Sequence, residues 1–133
     1  MGDFSYIARE KSPPVDDKAL DRAHELVDRT LERLEVLVTV AGLPPTTTPR
    51  IINARAALRA VQKWLEIIPA EGVDYDARTS ALKLAEEARE DLAALRLILW
   101  HVKTDAHAHV DCVAMCVREF IEICTTQMPI VPA

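Results

Sequence analysis

Several metal-ligand side chains cluster near the start of the last predicted helix: His101, Asp105, His107, His109, Cys112 and Cys116. Because residues three or four apart share one side of a helix, His109, Cys112 and Cys116 form a candidate metal site. Imidazole and thiolate are the ligands that zinc and copper(I) prefer, and a second helix or subunit would have to complete the tetrahedron. The interpretation we favour is that both cysteines are small core residues, with no cofactor bound.

Pairs of carboxylates one helical turn apart are a second candidate for chemistry, because two facing pairs can hold Mg²⁺ against the phosphates of a nucleotide. The run Glu86-Glu87-Ala88-Arg89-Glu90-Asp91-Leu92 resembles one half of the acidic signature of all-α nucleoside triphosphate pyrophosphohydrolases. Glu32 and Glu35 could supply the second half. The resemblance implies a metal-dependent nucleotide hydrolase, which is the alternative to the function we favour.

Arg96 and His101 form a third pattern, which resembles the core of the RNA-cleaving HEPN helical domains. That resemblance implies an acid-base role for His101. In that family a polar residue follows the arginine, whereas Leu97 follows it here. We therefore assign no catalytic residue and interpret Arg96 and His101 as side chains at the edge of a buried face.

Composition limits the classes of function. The chain has 133 residues, 50% of them hydrophobic and only three of them glycine, as expected of one domain of packed helices. Its net charge of −5 opposes binding to nucleic acid. The apolar run 97–102 is far shorter than the ~20 residues of a membrane span, so no membrane partner is expected. No signal peptide is recognisable, and the three cysteines are expected to be reduced thiols in the cytoplasm.

One apolar stripe organises the second half of the chain. It advances in steps of four and three from Ala81 to Gln127, which keeps one side of a helix facing its neighbours. Its members are Ala81, Ala85, Ala88, Leu92, Leu95, Leu99, Val102, Ala106, His109, Val113, Cys116, Phe120, Ile123 and Gln127.

The stripe leaves two architectures open. Thr104 and Asp105 offer an N-cap, and a turn over 103–105 would give two antiparallel helices and an up-down four-helix bundle. The stripe crosses this junction in phase, so one continuous helix over 77–125 is the alternative, and it would oblige the protein to dimerise. We favour the break, because a helix of that length is rare.

Two helices are predicted before the stripe. The first runs from Asp17 to Ala41 and stops at Gly42, and the second runs from Pro49 to Ile68 after Thr48 as N-cap. An acidic seam on the first helix is expected to face a basic stripe on the second. The seam comprises Asp21, Glu25, Asp28, Glu32 and Glu35, and the stripe comprises Arg55, Arg59 and Lys63. Asp76 is the predicted cap of the third helix.

The predicted organisation is an extended arm over 1–14, an all-α bundle over 15–127 and a tail over 128–133. Apolar residues outside the main stripe make the bundle more hydrophobic than a monomer requires. We therefore predict a non-enzymatic protein-interaction or assembly module that self-associates, most simply as a homodimer. Its predicted interaction face comprises Leu97, Ile98, Trp100, Val117 and Ile121.

Overall fold

Four α-helices build the protein. The structure is a computed structural model that describes residues 17–68 and 74–127, with the backbone alone for 74–76. The helices are α1 (Asp17–Thr39), α2 (Thr47–Ile67), α3 (Asp74–Ile98) and α4 (Ala106–Thr126). Within the described residues there is no β-strand. The all-α prediction is confirmed.

Each helix packs extensively against two others around a common core. The most extensive interface joins α2 to α3, and the others join α1 to α4, α3 to α4 and α1 to α2. A single hydrophobic cluster draws residues from all four helices. The predicted helical bundle is therefore confirmed.

The segment between α3 and α4 is a turn rather than part of a continuous helix. Helix α3 ends at Ile98, and the turn begins at Leu99, earlier than the predicted turn over 103–105. The Val102 amide donates to the Leu99 carbonyl at 2.9 Å, and the Ala106 amide donates to Oγ1 of Thr104 at 3.2 Å. Thr104 thus supplies the side-chain acceptor at the start of α4, while Asp105 at the N-cap makes no such bond. The alternative of one helix over 77–125 is wrong.

The stripe predicted from the sequence forms much of the core. On α3 it begins with alanines and continues with leucines, and small side chains there allow α2 to approach closely. All but three of its members are fully buried: Ala81, Ala85, Ala88, Leu92, Leu95, Leu99, Ala106, Val113, Cys116, Phe120 and Ile123. Val102 and His109 are half-buried, and Gln127 is exposed.

The acidic seam of α1 does lie beside the basic stripe of α2. Glu35 accepts hydrogen bonds from Arg55 at 3.2 Å and from Arg59 at 3.1 Å. Gln62 donates to Asp28 at 2.9 Å. Such exposed pairs contribute well under ~1 kcal/mol each to stability. Their main effect is to favour the packing of α1 beside α2.

The predicted ends of α1 and α2 need correction. Helix α1 ends at Thr39, and Gly42 follows with a φ of 78°, a backbone angle that glycine adopts without strain. Helix α2 begins at Thr47 with Thr46 at the N-cap, so the prediction of Thr48 as N-cap is wrong. The buried Thr47 hydroxyl instead donates to the Pro44 carbonyl at 2.7 Å.

Helix α3 begins at Asp74, two residues before the predicted cap Asp76, so Asp76 lies inside the helix. The predicted arm over 1–14 and the predicted tail over 128–133 lie outside the described residues. In the part of the chain that is described, no helix combines the length and the apolar character needed to cross a bilayer.

Candidate functional site

A groove between α3 and α4 contains two residues of the predicted interaction face, Leu97 and Trp100. It has a volume of about 550 Å³. The small side chains of Ala93 and Ala114 lie on its two sides and leave room between the helices. We call it the α3–α4 groove; it is lined by Arg89, Leu92, Ala93, Arg96, Leu97, Trp100, Ala114 and Arg118.

Large apolar side chains stand exposed at this groove. Leu97 is 76% exposed and Trp100 is 72% exposed. Met115, which follows the groove residue Ala114 on α4, is 70% exposed. Isolated apolar residues are common on protein surfaces, but a cluster that includes tryptophan is typical of a contact surface.

Three arginines give the groove a basic character. Arg96 donates to Asp111 at 3.1 Å, and Arg89 lies 3.9 Å from Glu86 in a loose exposed pair. Among the described residues, Arg118 has no ion-pair partner. The groove therefore offers apolar surface beside positive charge that the chain itself neutralises only in part.

The predicted interaction face is only partly on the surface. Leu97 and Trp100 lie on the groove, whereas Ile98 is half-buried. Val117 is 1% exposed and belongs to the core. Ile121 is half-buried and packs against the core. The apolar face is thus narrower than the one that the sequence predicts.

The sequence interpretation missed Ala93, Met115 and Arg118. The available signal was phase, because none of the three falls on the buried stripe of its helix. Met115 is thus an apolar side chain that faces outward and is not part of the core.

The candidate metal ligands His109, Cys112 and Cys116 all lie on α4. Cys112 and Cys116 lie one turn apart on α4, and burial raises the pKa of the Cys116 thiol, which the neighbouring Cys112 raises further. A guanidinium nitrogen of Arg33 donates to Nδ1 of His109 at 3.3 Å, which places a cation beside one of the two ring nitrogens that could bind a metal. Within residues 17–68 and 74–127, no group of three or more histidine, cysteine or acidic side chains is placed to hold a metal ion.

The three thiols are expected to differ in reactivity, because only the thiolate attacks an alkylating reagent. Burial raises the pKa of Cys124 to about 12, so this thiol stays protonated at neutral pH. Cys112 is half-buried and should react first, Cys116 more slowly, and Cys124 only when the protein opens. Timed alkylation followed by peptide mass spectrometry measures the order. In denaturant all three should react at similar rates, and native labelling of Cys124 as fast as Cys112 would contradict the buried placement.

The two halves of the acidic pattern lie apart. Glu32 and Glu35 are on α1 and the run from Glu86 to Asp91 is on α3, and these helices do not share one of the four extensive interfaces. Glu35 is occupied by arginines of α2, and Asp91 accepts a hydrogen bond from Arg50 at 3.1 Å. The structure therefore does not bring the carboxylates together around one cation.

Other charged and aromatic side chains of α1, α3 and α4 make contacts within the bundle. Glu119 accepts two hydrogen bonds from Arg22, at 2.6 and 3.1 Å, and joins α4 to α1. The pKa of Arg22 rises because of this bond. The exposed His101 ring stands edge-on to Trp100 with the ring centres 6.4 Å apart, while Arg96 is bonded to Asp111. His101 and Arg96 thus each contact a different residue.

No family model, no curated protein and no solved structure matches the chain.

Proposed function

We propose that the protein is a non-enzymatic helical module that self-associates through the surface around the α3–α4 groove. The observation that carries the proposal is the exposure of Leu97 and Trp100 side by side at the mouth of that groove. We call this surface the α3–α4 face; it comprises Ala93, Leu97, Trp100, Ala114 and Met115. A second copy of the chain is the partner.

Burial of this face supplies the driving force. Complete burial of one large apolar side chain contributes about 1.5–3 kcal/mol, and aromatic anchors dominate the energetics of many interfaces. The small residues Ala93 and Ala114 let an opposing surface come close to the backbone, and the charged side chains around the groove set its orientation.

We also propose that the bundle has up-down topology, with each helix antiparallel to its neighbours. Contacts between α1 and α4 support this arrangement, because Arg22 meets Glu119 whereas Arg33, further along α1, meets His109, earlier on α4. The short connections over 40–46 and 99–105 are typical of antiparallel neighbours. An up-down bundle presents α3 and α4 together along one continuous face.

The proposal is tested by the mass of the purified chain in solution. Light scattering over a dilution series should show a concentration-dependent species of twice the 14.8 kDa mass of one chain. A monomer at every concentration up to roughly 1 mM, where even a weak interface is populated, would contradict self-association.

The alternative is a metal-dependent nucleotide pyrophosphohydrolase, and a catalytic assay separates the two functions. We expect no Mg²⁺-dependent release of pyrophosphate from a mixture of nucleoside triphosphates. Mg²⁺-dependent release of more than one pyrophosphate per chain, above the background without protein, would overturn the non-enzymatic assignment. We place the protein in the cytoplasm, because its cysteines are free thiols suited to a reducing compartment.

A further inference from the structure

We infer that the α3–α4 groove also binds an acidic amphipathic helix of another protein, with a carboxylate of that helix at the end of the groove where Arg89 and Arg118 lie. This inference goes beyond the proposed self-association, because it names a second class of partner for the same surface. The order of charged, small and apolar side chains along the groove supports it.

The lining of the groove indicates which residues of α3 and α4 lie at the same level. Arg96 on α3 donates to Asp111 on α4 at 3.1 Å. Ala93 lies three residues before Arg96, Ala114 lies three residues after Asp111, and both alanines line the groove. This pairing is that of two antiparallel helices, which is the arrangement proposed above. The two small side chains therefore lie level with each other and leave room for a third helix to approach.

One end of the groove carries two arginines that lack a close carboxylate. Arg89 and Arg118 both line the groove, each four residues beyond the alanine on its own helix, so they lie at one level. Arg118 has no ion-pair partner among the described residues, and the pair of Arg89 with Glu86 is loose, at 3.9 Å. A carboxylate accepts hydrogen bonds from two guanidinium groups at once. We call this part of the groove the arginine end; it is suited to an acidic side chain.

The other end of the groove is apolar. Leu97 and Trp100 follow Arg89 on α3 by eight and eleven residues and are 76% and 72% exposed. The helical rise of 1.5 Å per residue places them about 12 and 17 Å along α3 from the arginine end. Between the two ends, Arg96 is already bonded to Asp111. A matching ligand therefore has an acidic group at one end and large apolar groups two to three helical turns away.

An amphipathic helix presents side chains in that order. Residues seven and eleven positions apart lie on one side of an α-helix, about 10 and 17 Å along its axis. Binding of such a helix in a groove between two others is a common mode of peptide recognition. Self-association covers the apolar end but supplies no carboxylate from the groove of the second copy, because the charged side chains lining it are again Arg89, Arg96 and Arg118.

The surroundings of the groove favour a ligand with few charges over nucleic acid. Glu86, Glu90 and Glu122 are exposed within four residues of Arg89 or Arg118. A phosphate backbone, with its regular row of negative charges, would lie against these carboxylates, and the net charge of −5 adds to the repulsion. A helix with one carboxylate at the arginine end avoids this conflict. The charges therefore favour an acidic segment of a protein as the ligand.

Two synthetic peptides test the binding. Each is a fluorescein-labelled, alanine-rich helix of about 18 residues with two leucines one turn apart. In one peptide a glutamate precedes the leucines by two turns, and in the other it follows them by two turns, so both directions of the helix are sampled. Fluorescence anisotropy should show saturable binding of at least one peptide, and glutamine in place of its glutamate should weaken binding by about tenfold. No saturable binding of either peptide up to about 1 mM would overturn the inference.

Charge reversal in the protein locates the bound peptide. Arg118→Glu should weaken binding of the glutamate peptide by about tenfold or more, and a peptide with lysine in place of the glutamate should restore it. Lys63→Glu makes the same charge change at an exposed position of α2 outside the groove and should leave binding unchanged. Thermal unfolding checks that both variants are folded. Equal losses in the two variants, or no loss in Arg118→Glu, would overturn the placement of the carboxylate at the arginine end.

The outcomes for self-association and for peptide binding are separable. A monomeric chain that binds the peptide overturns self-association alone, whereas a dimer that binds neither peptide overturns this inference alone. A random single-stranded oligonucleotide is the probe for nucleic acid in the same anisotropy assay. If it binds more tightly than either peptide and loses affinity in Arg118→Glu, the choice of an acidic protein segment is overturned.

Discussion

Truncating Phe120 to alanine is expected to lower the free energy of unfolding by about 3–5 kcal/mol. Phe120 is 2% exposed and is the largest of the fully buried side chains in the described residues. Its removal leaves a cavity that the surrounding side chains fill only in part, because a close-packed core relaxes incompletely. For a domain whose total stability is about 5–15 kcal/mol, this change removes a large share.

Urea unfolding followed by circular dichroism measures the effect, with the slope checked so that a change in midpoint reports stability. Met115→Ala, an apolar truncation on the same helix at an exposed position, is the matched control and should change the monomer's stability by less than about 0.5 kcal/mol. A loss below about 1 kcal/mol for Phe120→Ala would show that the core is not organised around this ring.

The sequence predicts the core well because burial follows the helical period. Apolar residues spaced by four and three stay on one side of a straight helix. The buried side can therefore be predicted without knowing which helices pack against it. The same argument cannot decide whether the helix breaks, because the stripe crosses the junction in phase. The break depends on local hydrogen bonds of Val102 and Thr104, which the apolar pattern does not contain.

Capping could not be assigned from the pattern for a similar reason. Thr46, Thr47 and Thr48 offer three hydroxyls in succession before Pro49. Composition alone favours the one next to the proline, but the structure buries Thr47 and bonds its hydroxyl to the Pro44 carbonyl. Which hydroxyl is used depends on how the preceding loop packs against the core.

The candidate site was predicted only in part. The number of neighbouring helices sets how much of a helix surface is buried, and the apolar pattern does not reveal that number. Helix α4 contacts both α1 and α3, so the adjacent residues Cys116 and Val117 are both buried. That is why Val117 was placed on the surface by sequence but lies in the core. Spacing likewise put His109 on the side of α4 shared with the cysteines, but could not reveal that Arg33 of α1 occupies that side.

Replacing Trp100 by glutamate is expected to raise the dissociation constant of the dimer by about a hundredfold or more. Truncating an aromatic anchor at an interface commonly costs about 2–4 kcal/mol, and the glutamate side chain replaces neither the apolar area nor the packing of the indole ring. Because Trp100 is 72% exposed in the single chain, the substitution should leave the fold and its thermal unfolding at low concentration unchanged. Ile52→Glu, which makes the same kind of change at an exposed apolar position of α2, is the control and should keep the wild-type mass in light scattering. If both variants dimerise as the wild type does, the surface around the groove is not the interface; if both dissociate, the effect is one of charge and not of position.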